Sequence, residues 1–233
     1  MPKFRVPITG AMIEAGPATE CDMILAFVRA EIDSLRFKQL YFDSLAEIGC
    51  GRDLIDDADL ADANQNLARK KLLTLVRGYG NNDRLFIDFP SDVRWRRVLL
   101  EPHDFDAMRY SNYPTWTALS DGTRLVSVGA QNVGRRSVDE NANHQGQTQL
   151  DAVLAQFACL NIGFEGPKNI LEIARVIRQG TVLPELIAVE AADGALIIIE
   201  GHARATAYLL AGFTGNPGVI LGSSPSIREW LFY

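Results

Sequence analysis

Two periodicities divide the chain. Between Ala18 and Ile48 apolar residues recur at three- and four-residue steps, with Ile24, Phe27, Val28, Ile32 and Leu35 in the repeat, and "GCG" (49–51) stops it. That spacing predicts a helix across the stretch. A second helix is predicted from Asp56 or Asp57, whose carboxylates suit an N-terminus, through Leu60, Leu67, Leu72 and Leu75 to Gly78 or Gly80. The two read as an antiparallel scaffold pair. Further on, "RLFIDFPSDVRWRRVLL" (84–100) reads as two short strands broken at Pro90-Ser91. "EPHDFDAMRY" (101–110) reads as a helical turn started after Pro102, and Asp121-Gly122 as a turn.

The last third is the most regular. "NILEIARVIRQG" (169–180) places Ile170, Ile173, Ala174 and Ile177 on one helical face and stops at Gly180. "ELIAVEA" (185–191) and "ALIIIE" (195–200) read as strands around an "ADG" turn, "HARATAYLLAG" as a helix ending at Gly212, and "PGVILG" (217–222) as a strand. "SPSIREWLFY" opens with a Ser-Pro cap signal and helical spacing. This order implies an α+β fold. A helical region (1–82) precedes a small α/β segment (83–136), and a polar linker or loop (137–150) leads to a mixed-sheet domain flanked by helices (151–233). The linker assignment follows from "GRRSVDENANHQGQTQ" (134–149), including His144, which offers almost nothing to bury.

Composition narrows the function. Net charge is -6 and the pI about 5.1, against a surface built to neutralise a nucleic-acid backbone. The basic clusters at 69–71, 94–97 and 134–136 are interspersed with acids and read as solvated faces. Cys21, Cys50 and Cys159 show no metal or redox spacing. Neither a signal-peptide core nor a membrane-length apolar run is present, so the expected setting is the cytoplasm. His103, Asp104 and Asp106 read as capping residues, and no metal site is assigned.

The chemistry concentrates at "IIIEGHARATAYLLAG" (197–212), where an apolar strand stops at Glu200-Gly201-His202 and restarts as an alanine-rich helix. A helix that begins at such a break presents unpaired backbone amides and the positive end of its dipole, an anion site. Gly201 and Ala203 allow close approach, Arg204 offers charged donors, and His202 offers a hydrogen bond or a proton. Structural alternatives stand beside these roles. Arg204 can pair with Glu200, Glu200 can cap the helix, and Thr206 can bond backbone from the core.

From Asn169 to Tyr233 the order of these elements, with Gly201-His202-Ala203-Arg204 at the junction, resembles the ParB/sulfiredoxin-like superfamily. Sulfiredoxins carry a cysteine where this chain has His202, so that activity is not implied. Partition-type ParB proteins carry an acid and consecutive arginines in the loop. They also have a DNA-reading domain downstream, which this sequence does not show. The free serine kinases look closest at the loop. That resemblance implies a nucleotide (ATP, ADP or CTP) with Mg2+ held by Gly201, His202, Ala203, Arg204 and Thr206. Glu200, His202 or Glu185 would serve catalysis, and Arg124 of "YPTWTALSDGTR" (113–124) could complete the pocket. The implied partners are a nucleotide or phosphorylated small molecule. The alternative is a non-catalytic module that binds nucleotide or nucleic acid.

Overall fold

A computed structural model describes residues 12–34, 36–139 and 166–233. Leu35, His144, Cys159 and the part of the polar linker beyond 139 lie outside them. The described residues form a six-stranded mixed sheet and eight α-helices. The strands are β1 (Ile13–Pro17), β2 (Arg94–Leu99), β3 (Arg109–Tyr110), β4 (Leu186–Glu190), β5 (Leu196–Glu200) and β6 (Gly218–Ser223), in the spatial order β1-β2-β6-β4-β5-β3. β4 runs parallel to β6 and β3 parallel to β5, while the other neighbours are antiparallel.

Both faces of this sheet are covered, which is why its central strands read as continuous apolar runs. On one face Ile187, Val189, Ile197, Ile199 and Ile220 pack with α1 (Glu20–Glu31), α2 (Lys38–Glu47), α3 (Asp53–Asp56) and α4 (Ala63–Arg77). On the other, Leu186, Ala188, Leu196, Ile198, Val219 and Leu221 meet α5 (Pro114–Leu119), α6 (Val126–Asp139), α7 (Gly166–Arg178) and α8 (His202–Ala211). The segment expected to be purely helical (1–82) therefore also contributes β1 to the sheet. β2, from the middle of the chain, joins β1 to β6.

Several local expectations change. The helix predicted over Ala18–Ile48 is two helices, because Ser34 Oγ accepts a hydrogen bond from the Phe37 amide and turns the chain between them. The second predicted helix starts later, at Ala63, capped by Asp62 Oδ1 at the amides of Asn64 and Gln65, with Gly78 ending it in the left-handed region at φ 82°. Residues 84–86 form a 3₁₀ turn rather than a strand. There Arg84 Nη1 bonds the Val76 carbonyl at the end of α4, while Phe86 and Phe89 meet edge to face at 5.2 Å. Residues 134–139 continue α6 instead of opening a loop.

The closing segment is a strap with one 3₁₀ turn (Ile227–Glu229), not a helix. Trp230 is buried, donates Nε1–H to the Leu85 carbonyl at 2.8 Å, and stands edge-on to Phe89 at 5.5 Å. Beyond it, Leu231 N–H bonds Ile87 O and Phe232 O accepts from Asn112 N–H. Tertiary partners outcompete the helix because they bury the indole and pair its N–H at once. Replacing Trp230 by Ala should cost about 3–5 kcal/mol of unfolding free energy in urea titration. Trp230→Phe should cost less, about 1–3 kcal/mol, from the unpaired Leu85 carbonyl.

Candidate functional site

β3 and β5 are parallel neighbours, so their C-terminal ends bring Ser111 and Gly201 together. Open sheets with parallel strands bind ligands at this end. Here a cavity of about 330 Å³ opens, lined by Glu200, Gly201, His202, Ala203 and Arg204. Ser111, Tyr113 and Trp116 close a second side, and Asn169 and Ile173 of α7 a third. The fourth side comes from the helical half of the chain, through Glu31, Ser34, Arg36, Phe37 and Arg77.

Gly201 makes the strand-to-helix break. Its φ of 100° suits glycine, and a Cβ there would stand 2.5 Å from Leu186 Cδ2. No side chain caps α8, and among the described residues no protein acceptor meets the amides of His202, Ala203 or Arg204. These donors lie on residues that line the cavity.

The Arg204 guanidinium has a different role from the one expected. Nη1 donates to the carbonyls of Pro184 (2.7 Å) and Glu185 (2.9 Å), and Nη2 to Glu200 Oε1 (3.1 Å). It is a clamp that ties the start of β4 to the end of β5, and its charge is matched by Glu200. The structural alternative for this pair is the observed one.

His202 is buried. Its ring stacks on Trp116 (centroids 5.1 Å apart, planes 13° apart) and on Tyr110 (6.0 Å, 21°), and Nε2 shares a 2.7 Å hydrogen bond with Ser111 Oγ. Burial, reinforced by the charges of Arg77, Arg204 and Arg124, pulls its pKa down to about 3. The imidazole is neutral at physiological pH and too weak a base to take a proton from Ser111 or a substrate hydroxyl. It positions Ser111 and the first turn of α8 instead of moving protons.

The remaining assignments from sequence fall outside the cavity wall. Thr206 is fully buried and bonds His202 O at 2.8 Å and Tyr110 Oη at 2.6 Å, so it faces the core rather than a ligand. Glu185 pairs with Arg97 at 3.2 Å, away from the cavity lining. Arg124 bonds the carbonyls of Tyr110 (2.9 and 2.7 Å) and Tyr233 (2.8 Å), fixing β3 to the terminal strap. Its field reaches His202, but it does not line the cavity.

Glu31, Arg36 and Arg77 were not singled out from sequence. Glu31 Oε2 accepts from Tyr41 Oη at 3.1 Å and lies 3.5 Å from Arg77 Nε, which is itself buried without a hydrogen-bond acceptor. Burial pushes the Glu31 carboxyl up to about 8, outweighing the attraction of Arg77. Arg36 and Arg77 both stack on Phe37, at 4.6 and 4.5 Å from its centroid. The available signal was a charged residue on an apolar helical face. Glu31 follows Phe27 by four positions and Arg77 follows Leu73 by four.

The carboxylates do not fit a protein-held magnesium, because Glu200 is tied to Arg204 and Glu31 is buried and largely protonated. Among the described residues no group of three or more His, Cys, Asp or Glu side chains could hold a metal ion. Asp104 accepts from the Glu101 amide as a cap. Among the same residues no helix is long and apolar enough to cross a membrane. Compared with known proteins, the chain matches no family model, no curated protein and no solved structure.

The two shifted groups bend stability in opposite directions. Between pH 3 and its unfolded value of 6.5, His202 binds a proton more readily in the unfolded chain, so acidification destabilises the fold. Between its unfolded value of 4.5 and about 8, Glu31 binds a proton more readily in the folded chain, so rising pH destabilises it. Relative to wild type, His202→Asn should gain stability as pH falls from 6.5 to 5. Glu31→Gln should remove a loss between pH 6.5 and 8. Each slope approaches about 1.4 kcal/mol per pH unit, measured by urea unfolding across pH.

Proposed function

We propose that this protein binds the phosphate end of a nucleotide or phosphorylated small molecule in the cavity between the first turn of α8 and the helical half of the chain. One observation carries the reading. Backbone amides without protein acceptors share a 330 Å³ cavity with guanidinium groups from two separate segments, Arg36 and Arg77, while Arg204 is held by Glu200 and two carbonyls. Phosphate is recognised by this combination of helix-start amides and planar charged donors. Trp116, Tyr113 and Phe37 supply flat apolar walls suited to a base or other ring beside the phosphate. The resemblance of residues 169–233 to ParB/sulfiredoxin-like proteins supports the same reading, since β4, the 192–194 turn, β5, Gly201 and α8 follow in the implied order.

A binding or regulatory role suits the geometry better than phosphoryl transfer. Of the three groups anticipated as catalytic, Glu185 stands outside the cavity, Glu200 is paired with Arg204, and His202 stays neutral and stacked. None is placed as a general base near pH 7. A docking role for nucleic-acid backbone draws no support from the net charge of -6.

Thermal unfolding with phosphate, ADP, ATP and CTP, each with and without Mg2+, tests the proposal. A ligand present at a hundred times its Kd should add about 2.7 kcal/mol, raising Tm by roughly 5–10 °C for a chain of this size. Arg77→Met should reduce that rise by at least half while the protein still melts cooperatively. No rise with any of these ligands would refute phosphate binding here.

A further inference from the structure

The charges that face the cavity do not balance. Arg204 and Glu200 neutralise each other across 3.1 Å. Arg36 and Arg77 remain, with Glu31 as the acid beside them, and His202 adds no charge. Arg36 has no carboxylate or hydrogen-bond partner among the described residues, and its guanidinium lies over the Phe37 ring. Phe37 orients both guanidiniums, and Phe27 stands 5.9 Å from Arg77 on a further side. Arg77 is largely buried beside Glu31, while Arg36 stands exposed at the rim of the same cavity, so one anion can meet both guanidiniums.

Glu31 meets charged or titratable groups from several elements. Tyr41 of α2 donates to it, Arg77 of α4 lies 3.5 Å away, and Arg36 acts from the turn before α2. Glu200 at the end of β5 repels it, while His202 and Arg204 of α8 line the same cavity. While ionised, Glu31 supplies one negative charge against the two positive ones of Arg36 and Arg77. A singly charged ligand would complete the balance but leave that carboxylate buried beside an anion. A doubly charged ligand balances Arg36 and Arg77 by itself, provided Glu31 is neutral.

We propose that the cavity selects a doubly charged anion, a phosphomonoester or terminal phosphate group, and that Glu31 is held protonated while that anion is bound, taking up a proton wherever the free protein carries it ionised. This rests on the phosphate-binding reading and sharpens it. A phosphodiester carries one charge and is disfavoured, which separates a mononucleotide or sugar phosphate from a nucleic-acid backbone as the ligand. The proton comes from solvent. The anion's field stabilises protonated Glu31, and by linkage the anion binds more tightly as pH falls.

Sulfate is the probe, because it stays doubly charged across the whole range and any proton taken up belongs to the protein. Calorimetric titration of the full chain with sulfate at pH 8, at constant ionic strength in two buffers of different ionisation enthalpy, counts the protons. With the Glu31 pKa at about 8 in the free protein, about half a proton should be absorbed per sulfate bound. Affinity should fall severalfold from pH 7 to pH 9. Methyl sulfate, singly charged, should bind at least tenfold more weakly. Glu31→Gln should bind sulfate with no proton uptake and no fall towards pH 9.

Sulfate binding by the wild type without proton uptake would overturn the proposal and leave phosphate binding standing. Equal affinity for methyl sulfate would do the same, as would nucleotide binding without sulfate binding. Failure of sulfate, phosphate and nucleotides alike would overturn both. The wild-type pH series and proton count decide the matter even if Glu31→Gln does not fold.

Discussion

The handover from β5 to α8 depends on the Arg204 clamp. Its guanidinium reaches two carbonyls at the start of β4 and the carboxylate that ends β5, while Gly201 turns the backbone through a left-handed conformation beneath it. Charge-assisted hydrogen bonds of this kind contribute roughly 1.5–3 kcal/mol each, and removing one partner of a half-buried pair leaves the other charge stranded. The clamp holds the first turn of α8 at a fixed height above the sheet. The amide donors, the His202 ring and the position of Ser111 all follow from that.

The cavity combines two electrostatic solutions. Around His202, burial and three nearby arginines remove the imidazole's charge, so a residue usually tuned for proton transfer becomes a flat, neutral packing element against Trp116 and Tyr110. Around Glu31, burial shifts a carboxyl in the other direction and leaves the neighbouring Arg77 incompletely matched. Only the Glu31 shift leaves positive charge unmatched, since a neutral His202 removes a cation from the site.

The strands β4, β5 and β6 were legible because a sheet covered on both faces demands unbroken apolar runs, and "LIAVE", "LIIIE" and "GVILG" are such runs. α7 and α8 were legible from helical spacing and terminal glycines. Where partners lay far along the chain, local pattern misled. The Ala18–Ile48 periodicity concealed a turn at Ser34. The helical spacing of the closing segment gave way to a strap, because Trp230 finds Leu85, Phe89 and a full burial site 140 residues or more upstream. β1 carries four exposed positions out of five and has little pattern to read.

Within the site, sequence by itself determined where the open helix-start amides would be. With glycine at the cap position, the cap residue has no side chain to bond the first amides. Which charges face those amides was decided only by the tertiary structure. Arg204 is drawn to carbonyls of residues 184 and 185, Glu185 to Arg97, and Arg124 to the terminal strap, while Arg77 and Glu31 arrive from helices, and Arg36 from a turn, on the opposite face of the sheet. Local sequence constrains φ and ψ within a few residues. A charged side chain settles on whichever partners the packed layers bring within a few ångströms.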